Sequence, residues 1–224
     1  MVDNADGLSA QSDLDPKDAD EGRTVTAELE LAGWRREVSA LYAAVRAEAA
    51  PEVGHVLWVA GRDELFRTHP QSPLLPDDPL RTSGLPYSPY DPDLRFELSL
   101  LAPVEPAELS LPSGADGTTT MRLVGHVQLP SPLDARVDVW WLQQYAGGLF
   151  LPLRDGTAGK TSYGGGRYLL DTVKGADLGV RSDMLVIDLN FLYHPSCRYN
   201  DAWQCPLAQP GNTISAPVYA GERL

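Results

Sequence analysis

Seven prolines fall between Thr68 and Leu94, in the stretch THPQSPLLPDDPLRTSGLPYSPYDPDL. Each one fixes φ and removes a backbone donor, so neither a helix interior nor a central strand can run through the segment. An extended, turn-rich wrap laid along a surface is the form left to it, with Tyr87 and Tyr90 as the side chains able to anchor it. The wrap divides the chain into a front part, residues 25–67, and a back part, residues 95–224. Across all 224 residues there are 19 Pro and 20 Gly. Many turns and short elements follow, a composition that leans towards β. The length suits one domain with an appended arm better than two full domains.

The front part reads as helix. Leu31, Trp34, Val38, Leu41, Tyr42 and Val45 recur at three- and four-residue steps, which predicts an amphipathic helix from about Ala27 to about Ala49, ended by Pro51. A second, short helix is expected from about Glu52 or Val56 to Arg67, before the prolines begin. Residues 1–24 show low apolar content and no periodicity and read as a disordered acidic tail. From Met1 to Leu31 nine acids face only Lys17 and Arg23, within a formal net charge of -13. Such a balance argues against a nucleic-acid partner, which needs a Lys/Arg patch to neutralise phosphates. No basic segment followed by an apolar run opens the chain, and no apolar stretch has the length of a membrane span, so a membrane is not expected as a partner. A cytoplasmic protein is the expectation, with its two cysteines reduced. The oligomeric state is not legible.

In the back part strand signals come in series: LRFELSLLA (Leu94–Ala102), TTMRLVGHVQL (Thr119–Leu129), ARVDVWWLQQY (Ala135–Tyr145), LFLPL (Leu149–Leu153) and MLVIDLN (Met184–Asn190). Val137, Val139 and Trp141 alternate with Arg136, Asp138 and Trp140, giving one buried and one wetter face. The links are turn-like, as in SGADG (Ser113–Gly117) and AGG (Ala146–Gly148). Short links between neighbouring strands favour antiparallel pairing. The expected class is mainly β (α+β), an antiparallel barrel or sandwich-like meander with an N-terminal helical arm.

Residue types able to do chemistry concentrate after Asp155. Gly164, Gly165 and Gly166 beside Arg167 could cradle an anion, but no helix pattern or GKT/GKS spacing follows. The alternative is a tight bend, with Arg167 paired to Asp155 or Asp188. In VIDLN the period of two places Asp188 and Asn190 on one face, either as a site or as a polar cluster that locks the tail. His194, Cys197 and Cys205 supply three soft ligands in twelve residues, without the fourth that structural zinc requires. The cysteines otherwise form a disulfide or close thiol pair stapling the loop, or two buried thiols. His55, His69 and His126 show no ligand spacing and read as ordinary surface or loop histidines. The G-x-S-x-G elbow, the dinucleotide fingerprint and H-E-x-x-H are all missing.

The blocks DGT-G-TSYGGGRY (Asp155–Tyr168), DLN (Asp188–Asn190), YHPSC (Tyr193–Cys197), CPL (Cys205–Leu207), PGN (Pro210–Asn212) and AGE (Ala220–Glu222) follow in a distinctive order. Earlier come SPL (Ser72–Leu74), GLPYSPYDPDLR (Gly84–Arg95) and Val124-Gly125. Together they resemble a family of uncharacterised, mostly bacterial proteins catalogued as domain of unknown function 1684, from about residue 34 to the end. The chain departs from the family pattern at Leu189 (Phe in the pattern), Phe191 (Arg), His194 (Asn) and Gly211 (Glu). The resemblance implies a grouping and brings no activity with it.

Two functions remain open at this level. One is an enzyme acting on a small, anionic molecule in a polar and aromatic pocket of the β-structure. In it Arg167 holds the anion, Asp188 acts as general base or acid, Tyr163 stands beside them, and Asp155, Tyr168, Asn190, Tyr193 and Tyr87 complete the ligand contacts. The other is a non-catalytic ligand-binding or accessory module, in which the same residues form a structural network and the acidic tail makes the contact. No cofactor is expected in either.

Overall fold

Two helices open the described chain. The structure is a computed structural model that describes residues 16–112, 117–143 and 145–224, with side chains from residue 25 onward. Helix α1 spans Pro16–Ala47 and α2 spans Pro51–Thr68. The tail expected over residues 1–24 lies outside the described residues as far as residue 15; from Pro16 the backbone is helical. Proline is tolerated in a first helical turn. Pro51 both closes off α1 and starts α2, so the helices fold back on each other. At their crossing a Cβ on Gly61 would lie 2.5 Å from Leu41 Cδ1, so the glycine gives the leucine side chain its room.

The proline-rich wrap follows, broken by the short helix α3 (Leu80–Ser83). Leu74 and Leu85 plug into α2 against Leu65 and Phe66. Arg81 pins the wrap by donating to the carbonyls of Arg67, Leu74 and Leu75 at 2.7, 2.7 and 2.9 Å. Of the two expected anchors, Tyr87 packs edge-on against Trp58 and Tyr90 against His55.

Among the described residues eight strands come next: β1 (Arg95–Leu98), β2 (Glu108–Pro112), β3 (Thr118–Leu129), β4 (Ala135–Leu142), β5 (Gly148–Leu153), β6 (Arg167–Asp171), β7 (Val180–Arg181) and β8 (Met184–Asp188). Strands β2 to β6 form a five-stranded meander in chain order, and β1, β8 and β7 form a second sheet. Every pairing between these strands is antiparallel. The arrangement is sandwich-like; neither sheet closes into a barrel. An isolated bridge between Leu101 and His126 stitches the end of the small sheet onto β3.

The larger sheet is buried on both faces, in different places. Val137 and Val139 belong to the core between the sheets, with Val127, Leu153, Leu169, Ile187 and Leu192. Trp140 and Leu142 point the other way, into a second core shared with Tyr42 and Val45 of α1 and Trp58 of α2. The expected alternation therefore holds at Val137 and Val139 and inverts at the tryptophans: Trp140 is 4% exposed and Trp141 is 37% exposed. The helices cover the face that local sequence marked as wet. A bulge between Leu123 and Gly125 makes the same switch in β3, with Met121 under the helices and Val127 and Leu129 between the sheets. Strand β2 was not expected, because it is short and ends in Pro112. That proline is tolerated at the sheet edge.

Candidate functional site

The sheet face under the helices does not close completely. Between α1, α2, the ends of β4 to β6 and the segment from Tyr193 to Pro206 lies a cavity of about 580 Å³. Its walls are aromatic and aliphatic, with Trp34, Val38, Leu41, Tyr42, Phe66, Phe150, Tyr168 and Tyr193 among them. Its charged lining residues are Arg35, Arg62, Lys174 and Asp171. Three cations against one acid is an unusual excess in a chain whose net charge is -13.

Arg62 sits on the buried stripe of α2 with Trp58, Leu65 and Phe66. Its guanidinium lies 4.7 Å from the Tyr193 ring centroid and 4.9 Å from that of Phe66. Nη2 donates to Glu222 Oε2 at 2.9 Å and Nε to Tyr87 Oη at 3.0 Å. Glu222 is fully buried, and its Oε2 also accepts the His194 backbone N–H at 2.8 Å. Burial pushes the Glu222 carboxyl up, but Arg62 and the His194 donors overcome it and hold it below the usual carboxylate range. His194 Nε2 accepts the Tyr163 N–H at 3.1 Å, which leaves the proton on Nδ1, 3.6 Å from Glu222 Oε1. That Oε1 has no hydrogen-bond partner among the described residues.

On the opposite wall Lys174 Nζ meets Asp171 Oδ2 at 2.6 Å, at the turn that follows β6. Burial works against the ammonium, yet Asp171 outweighs it and raises the lysine above its ordinary value. Arg35 is close enough to oppose that charge and makes no ion pair of its own among the described residues. The hydroxyl of Tyr42, a residue only 2% exposed, lines the same space without a partner at hydrogen-bonding geometry among the described residues. Its one polar neighbour of note, the Trp58 indole N–H, is equally without one. Burial raises the Tyr42 phenol well above its usual range.

The residues singled out from the sequence fall into three places. Tyr168, Tyr193, His194 and Cys205 line the cavity. Cys197 lies next to Cys205, its backbone N–H 3.4 Å from Cys205 Sγ, with Tyr163 at its side. Both thiols are free. No group of three or more His, Cys, Asp or Glu among the described residues has the arrangement of a metal site, so His194 does not join the cysteines as a ligand set. Tyr87 reaches the cavity only through Arg62.

Arg167 and Asp155 form a second place, inside the core. They pair at 2.8 Å and each is about 1% exposed at the side chain. The guanidinium also donates to the carbonyls of Val218, Ala220 and Glu222. Asp155 accepts from Thr157 and from the Val218 N–H. Burial raises its carboxyl, Arg167 and these donors lower it, and the net position is below the usual value. Gly166 has φ +91° and a Cβ there would meet Leu153 O at 2.7 Å. The glycine run is thus a tight bend, ahead of β6.

Asp188 and Asn190 make the third place. β8 ends at Asp188, and Asn190 sits in a 3-10 turn, so the two meet through a cap, with no part played by strand alternation. Asn190 donates to Asp188 Oδ1 from N and Nδ2, and Tyr90 Oη donates to Oδ2 at 3.2 Å. Arg95 approaches at 3.8 Å. Burial keeps this carboxyl above the usual range despite those donors. Asp188 borders a small cleft of about 170 Å³ with Arg46, Arg95 and Arg181.

Two histidines read as surface residues are buried: His55 against Trp58 and Phe191, His69 edge-on to Trp34. Sequence reasoning passed over Arg62, Glu222, Lys174, Asp171, Arg35 and Tyr42. An arginine on an otherwise apolar helical stripe was the signal for Arg62, and the terminal AGE block was the signal for Glu222. Gly221 has φ +72° and would place a Cβ 2.5 Å from Leu192 O, which is why a glycine must precede the buried glutamate. At the departures from the family pattern, Phe191 is buried against Trp58, and a Cβ on Gly211 would lie 2.0 Å from Asp138 Oδ2. These two of the four substituted positions thus lie in different surroundings.

Comparison with known proteins agrees with this architecture. A solved solution structure of an uncharacterized protein of Haloarcula marismortui is 33% identical, with a TM-score of 0.54, covering 74% of this chain and 90% of that one. No curated protein matches the chain. Its residues 81–223, more than half its length, match one family model, and the chain belongs to that family, described as Protein of unknown function (DUF1684).

Proposed function

We propose that the cavity beneath α1 and α2 binds a small molecule with an apolar or aromatic body and an anionic group. The observation that carries this reading is the pair Arg35 and Lys174 at the cavity, with Asp171 as the one lining acid to offset them. Arg62 adds a third cation, already balanced by Glu222. An anion between Arg35 and Lys174 relieves their repulsion at the half-exposed side of the cavity. The aromatic walls supply the apolar contact, and the Tyr42 hydroxyl is positioned to accept or donate a hydrogen bond. Two free thiols fit the cytoplasmic setting that the sequence suggests.

The test uses matched aryl carboxylates and their neutral amides in calorimetric titrations. Carboxylates are expected to bind more tightly than the amides, and Arg35→Gln with Lys174→Gln to weaken them about tenfold, or about 1.4 kcal/mol. A cavity that takes neither series, or both equally well, overturns the reading. A second reading keeps the chemistry at Asp188, whose raised carboxyl borders the smaller cleft with Arg95 in the place foreseen for Arg167. In the same titrations Asp188→Asn would then abolish binding and the Arg35/Lys174 variants would not.

A further inference from the structure

We infer that Cys205 and Cys197 form a thiol–disulfide exchange couple on the cavity wall, with Cys205 attacking low-molecular-weight disulfides and Cys197 resolving the product. The inference does not rest on the anionic-ligand reading; it uses the cavity only as the route by which a small disulfide reaches sulfur.

The surroundings separate the two roles. Cys205 lines the cavity, and Cys197, equally half-buried, touches its sulfur without lining the cavity. Eight residues apart in sequence, they are brought together by the 3-10 turn Ser196–Arg198 and the loop that follows. Cys205 Sγ accepts the Cys197 backbone N–H at 3.4 Å, and the Cys197 thiol is a hydrogen-bond partner of the same sulfur. Lys174 adds positive charge from the cavity side, and the Tyr168 hydroxyl is adjacent. Against the cost of burial, these groups hold the Cys205 thiol below its ordinary range, while the bond to Cys205 pushes the Cys197 thiol up. One sulfur is thus a thiolate in waiting and its neighbour a protonated thiol, the asymmetry that exchange chemistry requires.

The steps balance without another reagent. Cys205 thiolate attacks one sulfur of RSSR, forming Cys205–S–SR and releasing RS⁻. Cys197 then loses its proton to the released thiolate and attacks Cys205 Sγ. The S–S bond to R breaks, a second RS⁻ leaves and takes up the proton first shed at Cys205. The chain is oxidised by two electrons and RSSR is reduced to two RSH.

The experiment treats the fully reduced chain with 2-hydroxyethyl disulfide, a neutral probe, so that the outcome is independent of the cavity's charge. Samples are quenched with acid, alkylated with iodoacetamide and followed by mass spectrometry. Wild type is expected to pass to the internal disulfide, releasing two equivalents of 2-mercaptoethanol per chain, and to return with dithiothreitol. Cys197→Ser should stop at a mixed disulfide on Cys205, and Cys205→Ser should react about tenfold more slowly or less than that. If Cys197→Ser does not fold, Cys197→Ala serves the same purpose. A wild type that accumulates unresolved mixed disulfides, or a Cys205→Ser chain that reacts as fast as wild type, would falsify the couple.

Discussion

Arg167 shows how much one buried side chain can organise. Its guanidinium faces the Asp155 carboxylate and three carbonyls of the last few residues, so one cation ties β6 to the C-terminal segment. Removing one partner of such a pair leaves an uncompensated buried charge, and Asp155→Asn should cost about 3–5 kcal/mol at neutral pH by chemical denaturation. Because the folded Asp155 carboxyl lies below its unfolded value, its contribution is fully present above about pH 4. It is lost as pH falls through the folded value, so the gap between wild type and Asp155→Asn should narrow below about pH 4. A gap that is constant with pH would show that the carboxylate's charge is not what matters. The pairing of Arg167 with an acid was legible from composition, and Asp155 was one of the two acids named. That the pair sits in the core, away from the cavity, depended on Val218 and its neighbours arriving from far along the chain.

At the scale of elements, the sheets are joined by a bulge. The irregularity between Leu123 and Gly125 turns the second half of β3 towards the inter-sheet core and lets Leu101 bridge His126, each N–H bonding the other's carbonyl at 2.9 Å. A Cβ on Gly125 would lie 2.3 Å from Leu101 O, so Gly125→Ala should break this junction and cost about 1–3 kcal/mol. The loss should appear in denaturant midpoints, with amide exchange at Leu101 and His126 accelerated; unchanged exchange at both would count against it. Helices α1 and α2 and strands β3, β4, β5 and β8 were legible because each carries its period locally. The burial of Trp140 and exposure of Trp141 were not, because they depend on which other element covers each face. Nor was Asn190 placed correctly by strand alternation, since a cap at Asp188 ends the strand first.

Across the whole molecule, residues 218–224 tie distant elements together. Glu222 pairs with Arg62 of α2 across a separation of 160 residues, its backbone bonds Leu192 and Arg167, and the neighbouring Gly221 and Arg223 bond Ser88 and Pro86 on either side of Tyr87. Ending the chain after Gly221 would strand the Arg62 charge at the cavity floor. A melting temperature lower by about 10 °C is expected from far-UV circular dichroism, taking about 3–5 kcal/mol for the lost pair. A shift of only a degree or two would mean that the terminus is an ornament to a fold that stands without it. Among the described residues no helix is long and apolar enough to cross a membrane.

By itself the sequence determined the helical front, the proline wrap and the antiparallel strands, because periodicity and proline act over a few residues. It also marked the blocks that carry the family resemblance, including Tyr168, Tyr193, Cys197, Cys205 and Glu222. Only the tertiary structure decided which of these share a space. The cavity takes one wall from each of several segments, and its charged groups come from α1, α2, the end of β6 and the turn after it. Desolvation and pairing depend on distance in space, and no local pattern encodes that Arg62 meets Glu222 or that Lys174 faces Cys205.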